Sequence, residues 1–165
     1  MAMINILPTP KQCTEYSGTR SLSAAVCTDH GEFALYQTTL ADVVGRAVGC
    51  PLATDAQGGI VLCYDATLAP DAYVIDTAEH CAVRASAPQG LCYAFATLVQ
   101  LIVADGEGIT LPCLHIEDRP DKPYRSLMAD LARCWHPFWQ LLQFVDVCFL
   151  YKINVLHLHL ADDQR

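Results

Sequence analysis

Two short segments of this chain end in side chains that could do chemistry. Residues 124–133, Tyr-Arg-Ser-Leu-Met-Ala-Asp-Leu-Ala-Arg, close on Asp130 and Arg133. Residues 153–164, Ile-Asn-Val-Leu-His-Leu-His-Leu-Ala-Asp-Asp-Gln, carry His157 and His159 and close on Asp162 and Asp163. A guanidinium donates hydrogen bonds and a carboxylate accepts them. Arg133 and Asp162 on one rim could therefore hold the vicinal hydroxyls of a sugar. The same groups could instead form a surface ion pair, Arg133 with Asp162 or Asp163, worth little. Spacing alone does not choose between these. His157 and His159 stand two apart, so in a strand they share a face. A His-x-His at a strand end can also begin a metal-dependent hydrolase site. A catalytic zinc takes about three protein ligands, and Leu160-Ala161 separates these histidines from the aspartates. Histidines packed and hydrogen-bonded beneath the rim, with Asp130 in support, are the plainer reading, and no metal is expected.

Each segment reads as a buried strand with polar residues at its carboxyl end. Between them Phe138, Leu141, Leu142, Val145 and Phe149 fall on one helical face, and Pro137 suits the first position of that helix. Strand, helix, strand is a βαβ unit, and such units build parallel sheets. Ligands bind beyond the carboxyl ends of parallel strands.

The preceding residues read differently. Residues 4–8 make an edge strand at most, and residues 11–31 carry little pattern beyond a weak strand at 23–27. Tyr36, Leu40, Val43, Val44 and Ala47 give a helix over 33–48, with Gly49 as its C-cap. Strands are expected at 59–64, 72–76 and 81–85, the last two as an antiparallel hairpin. A second helix opens at Pro88, carries Leu91, Phe95, Leu98, Val99 and Ile102 on one face, and ends at Asp105-Gly106. A strand over 109–116 closes this part. His30, His80 and His115 look isolated. Glu117 to Pro123 holds five charges and two prolines and reads as a linker. The expectation is an α+β fold in two parts. Residues 1–117 form a small, mainly antiparallel sheet with two helices on one face. Residues 118–165 hold the linker and a truncated TIM-type β/α barrel fragment.

A net charge of −8 argues against nucleic acid, whose binding depends on Lys and Arg neutralising phosphates. No apolar run could span a bilayer and no signal peptide is visible, so no membrane partner is expected. Nine cysteines stand singly, without Cys-x-x-Cys spacing. They suit small buried side chains kept reduced in a cytoplasm, or a secreted or periplasmic protein if a leader has been removed.

Taken together, Asp118-Arg119-Pro120, the run 124–133, His136-Pro137 and Asn154 to Gln164 resemble the family 20 glycoside hydrolases, the β-N-acetylhexosaminidases. Leu7-Pro8-Thr9-Pro10, residues 72–75 and the helix holding Gly90, Tyr93, Ala94, Thr97, Leu98 and Gln100 resemble the domain that precedes that family's barrel. Ser126 departs from the pattern, which usually has glycine there. The resemblance implies an eight-stranded barrel in which Arg133 binds hydroxyls of a terminal N-acetylhexosamine, Asp162 assists, and glycans carrying that sugar are the substrates. It implies no cofactor. It also implies a retaining, substrate-assisted mechanism: the acetamido oxygen attacks the anomeric carbon, an Asp orients it, and the next Glu is the general acid. This chain contains no Asp-Glu dipeptide. A full barrel needs ~250 residues, against the 42 from 124 to 165. The expectation is an inactive fragment, with no catalytic residue of its own. Its alternative is a non-catalytic module that binds sugar or a partner. Two parallel strands with open edges are a pairing hazard, so residues 124–165 should pack on the leading domain, associate with another copy, or lose order.

Overall fold

The computed structural model describes residues 5–28, 30–54, 59–104 and 108–163. The chain divides into two compact units, Met1–Pro120 and Asp121–Arg165.

The first unit is one mixed sheet with two helices. Its strands are β1 (Gln12–Ser23), β2 (Val26–Thr28), β3 (Ile60–Tyr64), β4 (Tyr73–Asp76), β5 (Cys81–Ala85), β6 (Val103–Ala104) and β7 (Gly108–Asp118). Their order across the sheet is β1-β7-β4-β5-β3-β2, with β6 also on β7. The β4–β5 pair is the expected hairpin, and four of the six pairings are antiparallel. The β2–β3 and β3–β5 pairs are parallel. Helix α1 (Gly31–Val48) packs on β2 and on α2 (Pro88–Leu98), which in turn packs on β4 and β5. Ile60, Leu62, Ile75, Val83, Leu111, Leu114 and Ile116 are fully buried and form the sheet's side of the core. Burying such side chains stabilises by ~1.5–3 kcal/mol each before entropy.

Several boundaries move for physical reasons. The 12-residue β1 occupies a stretch read as irregular. Almost all its side chains are exposed, so hydrophobic alternation could not announce it; its order comes from backbone pairing with β7. Residues 5–8 form no strand. The amide side chain of Gln100 takes the place of a partner strand there, accepting from Leu7 N–H at 2.9 Å and donating to its carbonyl at 2.8 Å. The buried row of α1 is Phe33, Leu40, Ala41, Val44 and Gly45, rotated from the expected stripe, and Tyr36 and Ala47 lie outside. Gly49 caps α1 in the left-handed region at φ 70°, its N–H on the Gly45 carbonyl. Helix α2 ends at Leu98, and the stop expected at Asp105-Gly106 lies outside the described residues. Gly90 is required within α2, since an added Cβ would meet the Ala72 carbonyl oxygen at 2.3 Å. Strand β7 closes this part of the chain as expected, and within the sheet it lies between β1 and β4. It runs through Glu117 and Asp118, so the linker is shorter than the charge run suggests.

The second unit is β8 (Ser126–Asp130), α3 (Phe138–Leu150) and β9 (Val155–His159), with β8 and β9 parallel. Pro137 is the N-cap of α3, not its first residue. Of the helix's side chains only Cys148 is buried; Phe138, Leu142 and Val145 of the expected buried face are exposed. No helix among the described residues is long and apolar enough to cross a membrane.

Candidate functional site

Asn154 and Arg125 fasten the amino ends of β8 and β9. The Asn154 side chain accepts from Arg125 N–H at 2.9 Å and donates to the Pro123 carbonyl at 2.7 Å. Arg125 Nε donates to the Lys152 carbonyl at 2.8 Å. The two strands then run in register from Ser126 beside Val155 to Asp130 beside His159. Their carboxyl ends therefore finish level, and the chain leaving β8 is tied there: Leu131 and Ala132 both donate N–H to the His159 carbonyl.

Asp130 shapes the next turn. Its Oδ1 accepts the N–H of Ala132 at 3.1 Å and of Arg133 at 3.0 Å, an Asx turn. Its Oδ2 accepts Arg133 Nε at 2.8 Å, with Nη2 at 2.7 Å. The guanidinium is thus folded back over the strand that precedes it. From the turn after β9, Asp162 approaches the same group, its Oδ2 3.5 Å from Arg133 Nε. Asp162 Oδ1 lies 2.6 Å from His159 Nε2. A chain of polar contacts runs Asp130, Arg133, Asp162, His159 across both strand ends. The backbone N–H of Arg133 and then its guanidinium hold the Asp130 carboxyl below the usual carboxylate range. The Arg133 pKa is raised in return, first by its hydrogen bond to Asp130 and then by that residue's charge.

Arg133 and Asp162, proposed from sequence to share a rim, are brought together. Arg133 carries five N–H donors. These carboxylates engage Nε and Nη2, while the side chain remains 64% exposed. Such a group can grip ligand hydroxyls without first breaking its own support. Asp163 is exposed and outside this set of contacts. The histidines correct the sequence reading. His157 is exposed, not packed beneath the rim. His159 is not separated from the aspartates, because the turn after β9 carries Asp162 back onto it. Among the described residues no group of three His, Cys, Asp or Glu side chains is placed to hold a metal ion. His115, which looked isolated, lies between Asp76 at 2.9 Å and Glu117 at 3.1 Å. Alternation on β7 puts residues 115 and 117 on one face, but the β4–β7 register alone brings in Asp76.

Residues 3–119 match the model for glycosyl hydrolase family 20, domain 2, and residues 123–165 match that for the family's catalytic domain. The chain belongs to glycoside hydrolase family 20. The family 20 resemblance drawn from its residues is therefore correct. A β-N-acetylhexosaminidase of Cellulomonas fimi is 35% identical over 133 residues, 75% of this chain and 27% of that protein. A β-hexosaminidase of Akkermansia muciniphila is 44% identical over 102 residues, 59% of this chain and 20% of that one. Among solved structures, the family 20 exo-β-N-acetylglucosaminidase of Vibrio harveyi in complex with N-acetylglucosamine superposes with a TM-score of 0.88 at 27% identity. That match covers 96% of this chain and 26% of the Vibrio harveyi chain. This family 20 chain thus spans between about a fifth and a quarter of the length of these relatives.

Proposed function

We propose that this chain supplies the leading α+β domain and the first strand-helix-strand of the eight-stranded barrel of a β-N-acetylhexosaminidase. In that enzyme Arg133 donates to hydroxyls of a terminal N-acetylhexosamine on a glycan, and Asp162 completes the grip. Asp130 and His159 hold those two groups in place. The observation that carries the reading is the Arg133 guanidinium, anchored from β8 by Asp130 and met by Asp162 from the turn after β9, at the carboxyl ends of two parallel strands. Hydrolysis is retaining and substrate-assisted. The substrate's acetamido oxygen attacks the anomeric carbon as the leaving oxygen takes a proton from a glutamic acid; water then opens the cyclic intermediate. The sequence has no Asp-Glu pair to orient the acetamido group and give that proton. The role of these residues is therefore to bind the sugar and fix its position.

The test is release of 4-nitrophenol from 4-nitrophenyl N-acetyl-β-glucosaminide. The 165-residue chain alone should give none. When the chain is continued through the remaining strands of a family 20 barrel, turnover should appear. Arg133→Ala should then lower kcat/KM by about 10²-fold, the equivalent of one charge-assisted hydrogen-bond pair. Turnover by the chain alone, or an unchanged kcat/KM in the variant, would overturn the reading.

A further inference from the structure

The two carboxylates that meet Arg133 are held differently. Asp130 has both oxygens committed. Its Oδ1 accepts the N–H groups of Ala132 and Arg133, and its Oδ2 takes the guanidinium at 2.8 Å from Nε and 2.7 Å from Nη2. Asp162 stands off. Its Oδ2 is 3.5 Å from Arg133 Nε, outside the roughly 2.7–3.2 Å of a normal N–H···O bond. Its Oδ1 lies only 2.6 Å from His159 Nε2. A carboxylate left to itself beside an open guanidinium closes on it, because the arginine fork matches both carboxylate oxygens. Asp162 does not close, and the bond that holds it back is the one to His159.

His159 is well placed to hold that position. It is the last residue of β9 and the register partner of Asp130, which anchors Arg133. Its carbonyl accepts the N–H groups of Leu131 and Ala132, so the same residue pins the backbone turn that carries the guanidinium. A carboxylate only accepts hydrogen bonds, so Nε2 carries the proton in this pair. The ring fixes Asp162 from its Oδ1 side and leaves Oδ2 facing the guanidinium at a distance. A hydroxyl set beside both can accept from Arg133 and donate to Oδ2. Without the imidazole donor the aspartate itself would take that place, and the acceptor and donors meant for the sugar would satisfy one another.

We propose that His159 is a positioning residue that keeps the sugar grip open by holding Asp162 off Arg133. This role presupposes the sugar-binding reading above and acts on affinity. A grip that must first be pried apart weakens substrate and transition state alike, so its loss appears in KM and not in kcat.

In the 165-residue chain, imidazole nitrogen–proton NMR spectra should show His159 protonated at Nε2, in a bond that Asp162→Ala abolishes. The decisive comparison uses the chain continued through the remaining barrel strands, with 4-nitrophenyl N-acetyl-β-glucosaminide as substrate. His159→Phe keeps a ring and removes the donor. It should raise KM ~5-fold, about what an exposed ion pair can withhold, with kcat changed less than about 2-fold. His159→Ala, which only trims a partly exposed ring, takes its place if the phenylalanine variant does not fold. Asp162→Asn removes the charge that closes on the guanidinium. Adding it to His159→Phe should therefore leave KM where Asp162→Asn alone puts it. His159→Gln, which restores an N–H donor, should bring KM back toward the wild-type value. A residue that only supports the fold would give additive losses and no rescue. An unchanged KM in His159→Phe, additive losses in the double variant, or a ring signal indifferent to Asp162→Ala would overturn the role of His159. If Arg133→Ala still lowers kcat/KM, the sugar-binding reading survives that failure; if it does not, that reading itself falls.

Discussion

Tyr73 is 1% exposed, and its hydroxyl joins three elements of the first unit. It donates to Asp118 Oδ2, at the end of β7, over 2.8 Å. Having one proton, it must then accept from Thr97 Oγ1 of α2, 2.7 Å away. Tyr73→Phe keeps the ring and removes the link. A hydrogen bond to a charged acceptor contributes about 1.5–3 kcal/mol. The loss should fall near the lower end for two reasons. Asp118 keeps the Lys11 N–H at 3.2 Å and is partly open to water, and in the variant Thr97 can turn its hydroxyl proton to the Tyr93 carbonyl, 3.2 Å away. The expected cost is therefore ~1.5–2 kcal/mol. With an m of ~2 kcal/mol/M in urea, the unfolding midpoint of the first unit should fall by ~0.8–1 M. A cycle with Asp118→Asn should show a coupling of at least ~1 kcal/mol. Burial, and next the Asp118 charge, push the Tyr73 phenol far above its ordinary pKa. In alkaline titration of the native protein, Tyr73 should therefore stay protonated above the ordinary phenol value of ~10. A midpoint shift below ~0.2 M, or an additive cycle, would show that this hydroxyl does not tie β4, α2 and β7 together.

The fully buried Thr77 hydroxyl donates to the Pro112 carbonyl at 2.6 Å and accepts the Leu114 N–H at 2.8 Å. Thr77→Val strands that N–H in the core and should cost ~1–3 kcal/mol by urea unfolding; no measurable loss would mean β7 closes the gap itself. The His115 pKa is raised, first by its hydrogen bond to Asp76 and then by that to Glu117. Its stabilisation is therefore complete below the ordinary imidazole value of ~6.5 and fades as pH climbs through the higher folded value. Burial pulls the Asp76 carboxyl upward but is outweighed by the His115 hydrogen bond and the Ala78 N–H, leaving it lowered. That contribution is present above ~3.9 and fades as pH drops through the folded value. Stability against pH should peak between, and His115→Gln should flatten the alkaline side; an unchanged profile would assign that slope to other groups. All nine cysteines are free, and Cys13 and Cys134 are exposed. Cys134 should react first with a thiol reagent at pH 8. Cys13 should follow more slowly, since partial burial, then Glu15, raise its pKa. Cys81, pushed up to about 12 by burial, should react only on unfolding, and early labelling of Cys81 by mass spectrometry would contradict its packing.

What could be read from the residues was what neighbours in the chain determine. Gly49 ending α1, Cys81–Ala85 as a strand, and β8, α3 and β9 as strand, helix and strand rest on turn chemistry and on periods of 3.6 and 2. The family was legible because the motifs around Arg133 and Asp162 occur in order within one short stretch. What escaped was set by pairing between distant residues. Strand β1 has no apolar face to give it away, and only β7, about 95 residues on (Gln12 beside Glu117, Ser23 beside Gly108), makes it a strand. The link from Asp76 to His115 depends on the register of β4 against β7. The return of Asp162 onto His159 depends on a turn whose residues, Leu160 and Ala161, bear no turn signature. Local periods are encoded by sterics within a few residues, whereas register is settled only when two whole surfaces bury together.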